Sequence, residues 1–173
     1  IRLAGGTFLT DATFSYTDCF IAIDSNSSAF NPGTALTVGN NAGLIINIPH
    51  TITGNVTIAS GGLLSHTDNR RTALYKCDLT VVGDVTIDAG GKVDMTGVGF
   101  KGDYHPYSVM TDGAGEYGMG GSHGGRGGDG RPSGNKPSHD TYGSILTPTN
   151  FGSGGFEWGP SPETTNYGGG AVK

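Results

Sequence analysis

"TITGNVTIASGGLL" at residues 51–64 and "TVVGDVTIDAGGKV" at residues 80–93 carry one pattern twice. Displaced by 29 residues, Thr51, Gly54, Val56, Thr57, Ile58, Gly61 and Gly62 meet Thr80, Gly83, Val85, Thr86, Ile87, Gly90 and Gly91. A looser version, "ALTVGNNAGLIINI", begins at Ala35 and sets Leu36, Thr37 and Val38 in the place of the Val-Thr-Ile triplet. Three occurrences make a structural repeat the first hypothesis.

Each triplet alternates apolar, threonine, apolar, the period of a strand with one buried and one exposed face. The Gly-rich step that follows gives the backbone angles of a sharp corner. Units this short cannot bury their own apolar faces, so successive units must stack. The pattern therefore predicts an all-β parallel β-helix. Leu36, Val38, Val56, Ile58, Val85 and Ile87 form inward columns, neighbours about 4.8 Å apart, and Thr37, Thr57 and Thr86 form an outward row. An antiparallel β-sandwich is the competing architecture, since it too turns every 8–12 residues or so.

Composition narrows the function classes. Glycine supplies 33 of 173 residues and apolar residues only 34%, a poor basis for one wide core and a workable one for a narrow repeated core. The formal net charge is −5 and the ten Lys and Arg are scattered, which argues against a nucleic-acid partner. No apolar run approaches the roughly 18 residues that would cross a bilayer, so membrane insertion is not expected. Low charge with abundant Thr, Ser, Asn and Gly matches secreted surface proteins. The sequence opens at Ile1 without Met and reads as a mature form, a fragment or a portion of something longer.

Residues 113–170 hold 19 of the 33 glycines, including "GMGGSHGGRGGDG" at 118–130. Glycine permits positive φ and close approach of backbones, so such a region can lay extended segments side by side with no side chains between them. The expected organisation is an irregular coil or cap over 1–33, β-helix coils over 34–100, a glycine-rich excursion over 101–170, and the start of a further coil at 171–173.

The "VTI-x-x-GG" turns, "GGSHGGRGG", "YGS…P…GSGG" at 142–155 and "GGGAV" at 168–172 resemble the right-handed parallel β-helix segments of large, Gly-rich, secreted bacterial adhesin-like surface proteins. The resemblance spans about residues 34–173. It implies a cell-surface location and a structural or adhesive role, with end-to-end self-association or covalent continuation into a longer chain.

Aromatic residues gather in the same region, and flat rings with polar neighbours suit glycans or a surface receptor. Trp158, Tyr142, Tyr117 and Tyr167 are the candidate ligand contacts; the alternative is a small satellite core. Asp112, Glu116, Asp129 and Asp140 are candidate calcium ligands, although aspartates in such loops commonly bond nearby amides instead. No other cofactor is expected. A β-helical polysaccharide lyase would need acidic calcium ligands and a basic residue on the coils, but Asp84 replaces Asn55 and Asp88 replaces Ala59, so no acidic column forms. The protein is therefore read as non-enzymatic, with a carbohydrate-binding module and a lyase as alternatives. Cys19 and Cys77 permit one disulfide; two buried thiols are the other reading.

Overall fold

The computed structural model describes residues 2–3, 7–24, 29–69, 74–100, 123–125, 141–147, 149–154 and 168–172. Thirteen short strands follow in chain order: β1 (Arg2–Leu3), β2 (Thr7–Leu9), β3 (Phe14–Tyr16), β4 (Phe20–Ile23), β5 (Ala29–Asn31), β6 (Ala35–Val38), β7 (Ala42–Ile46), β8 (His50–Ile52), β9 (Asn55–Ile58), β10 (Gly62–Ser65), β11 (Leu79–Val81), β12 (Val85–Ile87) and β13 (Lys92–Val93). No helix occurs among the described residues.

The strands stack in rows ordered β1-β4-β7-β10-β13, β3-β6-β9-β12, β2-β5 and β8-β11. Every pair of named strands is parallel, which excludes the antiparallel pairing a sandwich would use. The protein is thus all-β, built of stacked parallel rows, and compatible with a parallel β-helix. Before stepping up a tier the chain takes one strand from the β1 row, one from β2-β5 or, later, β8-β11, and one from the β3 row.

Register follows the repeat. Val56, Thr57 and Ile58 face Val85, Thr86 and Ile87, and Leu36, Thr37 and Val38 face Val56, Thr57 and Ile58. Leu36, Val38, Val56 and Ile58 are buried, as are Leu44, Ile46 and Ile52 contributed by β7 and β8. Each such side chain contributes about 1.5–3 kcal/mol by leaving water. Ser15 continues the outward row of Thr37, Thr57 and Thr86.

Pairing begins well before residue 34. β1, β3 and β4 occupy the same rows as later strands, with Phe14 and Tyr16 in the columns of Leu36 and Val38, while β2 pairs with β5. The rings of Phe8, Phe14, Tyr16 and Phe30 pack together, with Phe8 and Phe14 centroids 4.8 Å apart. Tyr16 reaches across to donate its hydroxyl to the Gly43 carbonyl at 3.1 Å. β1 to β5 therefore form parallel pairs with aromatic side chains packed among them.

One corner recurs in each tier. Asp18, Asn41, Gly61 and Gly90 all hold positive φ, at 54°, 53°, 76° and 89°. Only glycine, or a short polar residue able to bond locally, adopts that conformation readily. The next position in two of these corners, Gly62 and Gly91, has no room for a Cβ, which would lie 2.3 Å from the carbonyl oxygen of Val38 or Ile58.

The chain divides into two compact units, the first being residues 1–67, 75–94 and 172–173, the second residues 68–74 and 95–171. Both segments of the second unit interrupt the first at the same kind of corner. One lies between β10 and β11, the other between β13 and Val172.

Candidate functional site

β11, β12 and β13 are the last strands of their rows. A tier buries its apolar face against neighbours above and below, and among the described residues no named strand pairs with the far side of these three. The consequence is visible within single columns: Val56 is 1% exposed and Val85 54%, Ile58 0% and Ile87 50%. Val82 and Val93 are exposed beside them.

The backbone of this edge is equally open. Val56 N–H donates to the Asp84 carbonyl at 2.8 Å, and Asp88 N–H donates to the Ile58 carbonyl at 2.9 Å. Asp84, Thr86 and Asp88 thus aim their backbone groups at β9, and by strand alternation Val85 and Ile87 aim theirs away from it. Asp84 and Asp88 are exposed, and the Asp84 amide is capped by Asn55 Oδ1 at 2.9 Å. At the approach to β11, Val172 bridges to Cys77 in parallel. These groups suit capture of another parallel strand.

In the second unit, three extended segments meet at glycines. Gly99 N–H donates to Gly168 O at 2.8 Å, and Gly168 N–H donates to Phe100 O at 2.9 Å. Phe100 N–H donates to Gly152 O at 2.9 Å, and Gly152 N–H donates to Gly169 O at 2.8 Å. Each segment bonds to both of the others, so the three form a triangular bundle and not a flat sheet. Side chains are excluded at its centre: a Cβ on Gly99 would lie 2.2 Å from Gly169 O, and one on Gly168 2.0 Å from Gly152 O. Phe100, Phe151 and Ala171 form an apolar cluster around it. Phe100 and Phe151 meet edge to face at 5.5 Å. Most of the quoted run 118–130 lies outside the described residues, but the packed backbone layer expected of such a composition is present here.

Tyr142, expected as a ligand contact, is instead interior at 6% exposure. Its hydroxyl donates to the Phe151 carbonyl at 2.7 Å and its ring meets His123 edge-on at 5.2 Å. A buried phenol needs such a partner, and here it ties residue 142 to the aromatic cluster. Trp158, Tyr117 and Tyr167 lie outside the described residues, as do Asp112, Glu116, Asp129 and Asp140. Among the described residues no three His, Cys, Asp or Glu side chains gather as a metal site.

Sequence reasoning gave no role to the buried polar residues. Asn47 spans three tiers: its Nδ2 donates to the Asp24 carboxylate and to Thr67 Oγ1, and its Oδ1 accepts from Thr67 N–H at 2.8 Å. Ser65 donates to the Asp94 carbonyl at 2.7 Å. His66 is buried, which lowers its pKa, while Nδ1–H donation to the Thr67 carbonyl at 2.8 Å acts in the opposite direction. These contacts satisfy polar groups at corners, and no periodicity in the sequence marks them.

Cys19 and Cys77 are free thiols, not a disulfide. Cys19 precedes β4, and Cys77 precedes β11 in a different row two tiers on. Two tiers alone separate them by about 10 Å, beyond the Cα distance a bridge allows. Burial, with Asp78 adding to it, pushes the Cys77 thiol up to about 12. In the native protein a thiol reagent at pH 8 is expected to label Cys19 at least about a hundredfold faster than Cys77, with the second equivalent released only in denaturant. Equal rates for the two sites, read by peptide mass mapping, would contradict the buried placement of Cys77.

No family model, curated protein sequence or solved structure matches this chain.

Proposed function

We propose that this chain is a right-handed parallel β-helix segment with a large glycine-rich insertion, acting as a non-enzymatic structural or adhesive part of a bacterial cell-surface fibre or of a larger β-helical surface protein. The observation that carries the reading is the tier-by-tier register of β3, β6, β9 and β12, which ends in exposed apolar columns and an open parallel strand edge. Such an end is a place for continuation, and repeated continuation yields an elongated protein. The low charge and the threonine row fit a solvated outer wall.

Calcium at the acidic residues of the insertion is part of the same proposal.

Location decides it. Antibodies against the 173-residue chain are expected to label intact cells of the native source, and external protease is expected to remove the signal. Labelling only after lysis would overturn the surface reading.

A further inference from the structure

We infer that the turn Ser65–Thr67 is an acid-sensitive latch: protonation of His66 opens it and loosens the roots of the segments 68–74 and 95–171, while the rows away from this corner stay intact. Among the described residues the buried polar or charged side chains are Asn47, Ser65, His66 and Asn69, and all of them lie at the corner that follows β7 and β10. The imidazole is 2% exposed. The inference does not depend on the cell-surface reading.

His66 stands in an aliphatic column. Ser65 is set opposite Ile45, so the next station places His66 beside Ile46, which shares its buried column with Ile23. Burial there lowers the imidazole pKa, and the Nδ1–H bond to the Thr67 carbonyl acts the other way. Among the described residues, the side chains at this corner that carry charge or titrate in the acid range are Asp68 in its own segment, Asp24 after β4, Asp94 after β13, and His50, Lys76 and Asp78 at the starts of β8 and β11. Asp24 accepts from Asn47 Nδ2, and His50 is turned to the Phe30 carbonyl. Carboxylates favour an imidazolium, yet the net direction is downward, so burial prevails.

The ring cannot leave the interior alone. On one side of it Ser65 Oγ donates to the Asp94 carbonyl at 2.7 Å, one tier on. On the other, Thr67 N–H donates to Asn47 Oδ1 at 2.8 Å and Thr67 Oγ1 accepts from Asn47 Nδ2 at 2.9 Å, one tier back. An imidazolium that turns toward water therefore pulls on both sets of bonds at once. Thr67 and Asp94 are the residues from which the chain leaves for 68–74 and 95–171. Asn69 N–H and Nδ2 both donate to the Val98 carbonyl, at 3.1 and 3.2 Å, so the starts of the two segments are tied to each other.

The direction follows from linkage. The buried imidazole binds a proton less readily than one in the opened turn, which titrates near the ordinary histidine value of about 6.5. Closure is therefore complete above that pH and is lost as pH falls through it. The ratio of open to closed turns rises by up to about tenfold per pH unit until the buried imidazole itself titrates.

Hydrogen exchange of the 173-residue chain between about pH 7.5 and about pH 5, corrected for intrinsic rates, reads the opening. Protection of the Thr67, Asn69 and Asp94 amides, which donate to Asn47 Oδ1, Val98 O and Leu64 O, is expected to fall at least about fivefold. Protection at Val56 and Ala59 is expected to stay unchanged. The His66 ring, followed by NMR, is expected to titrate below about 6.5, and His66→Leu, which keeps an apolar group of similar size in the column, to abolish the response. Flat protection at the three amides, a ring that titrates at or above the ordinary value, or an undiminished response in His66→Leu overturns the inference. Parallel loss at Val56 and Ala59 would mean unfolding of the whole stack and would overturn it too. If His66→Leu does not fold, exchange and ring titration of the parent chain decide the matter by themselves.

Discussion

Gly168→Ala is expected to dissolve the triangular glycine bundle while the stacked rows keep their structure. The new Cβ would lie 2.0 Å from Gly152 O, 2.1 Å from Gly152 C and 2.6 Å from Ser153 N, all of them backbone atoms that no rotamer change can move aside. Relieving the clash requires parting two segments. That breaks the bonds from Gly168 N–H to Phe100 O and from Gly152 N–H to Gly169 O, at 2.9 and 2.8 Å. Overpacking together with two lost buried hydrogen bonds costs about 3 kcal/mol or more. Hydrogen exchange is expected to show lost protection at Phe100, Gly152 and Gly168 and retained protection at Val56 and Ile58. Gly125→Ala, at a site with nothing within 4 Å, serves as the matched control and is expected to change stability by less than about 0.5 kcal/mol. Equal, small effects of the two substitutions would show that the segments are not in contact.

Ile58→Ala is expected to destabilise the first unit by about 3–4 kcal/mol. Ile58 is fully buried between Val38 and Ile87 in its column, so truncation leaves a cavity bounded above and below. Ile87→Ala removes the same atoms from the same column one tier on, where the side chain is 50% exposed. Its expected cost is below about 1.5 kcal/mol, because little cavity forms and much of the lost surface was already in water. Denaturant unfolding of the two variants compares position at fixed chemistry. Equal costs would mean that Ile87 is covered in solution.

The 29-residue repeat could be read because both of its copies use the same residue types at the same stations. Val-Thr-Ile supplies column, outer row and column, and Gly-Gly supplies the corner. The looser copy at Ala35 was recognisable from alternation alone, and its register with Val56, Thr57 and Ile58 is the one the alignment implied. The first tiers were illegible for a physical reason. Phe14 and Tyr16 fill the columns with rings, and Asp18 takes the positive-φ station that glycine holds later. A left-handed turn and a buried face are conserved through the tiers by conformation, and a comparison of letters does not see that.

The glycine bundle was legible as composition but not as geometry, since a layer without side chains has no hydrophobic period to count. Tyr142 shows the matching ambiguity: a ring in a glycine-rich region can present its face to a ligand or pin the chain, and the two uses leave the same letters. The cysteine pair failed as a disulfide because spacing along the chain says nothing about row or tier.

The shared corner has a consequence for how such a chain can grow. Residues 66–78 separate β10 from β11, and residues 94–171, about six times as many, separate β13 from Val172. The Met95 carbonyl accepts from Gly170 N–H at 2.7 Å, so the long excursion departs and returns at one point. Closure entropy rises by only about 0.6 kcal/mol per doubling of length, so the longer loop costs roughly 1.5 kcal/mol more than the shorter. Length added at this corner is therefore nearly neutral to the rows, whereas a single residue added within a strand would turn its side chains inside out. Variation among descendants of such a sequence should accumulate at that corner, and a foreign loop of tens of residues could be grafted there with the tiers left in register.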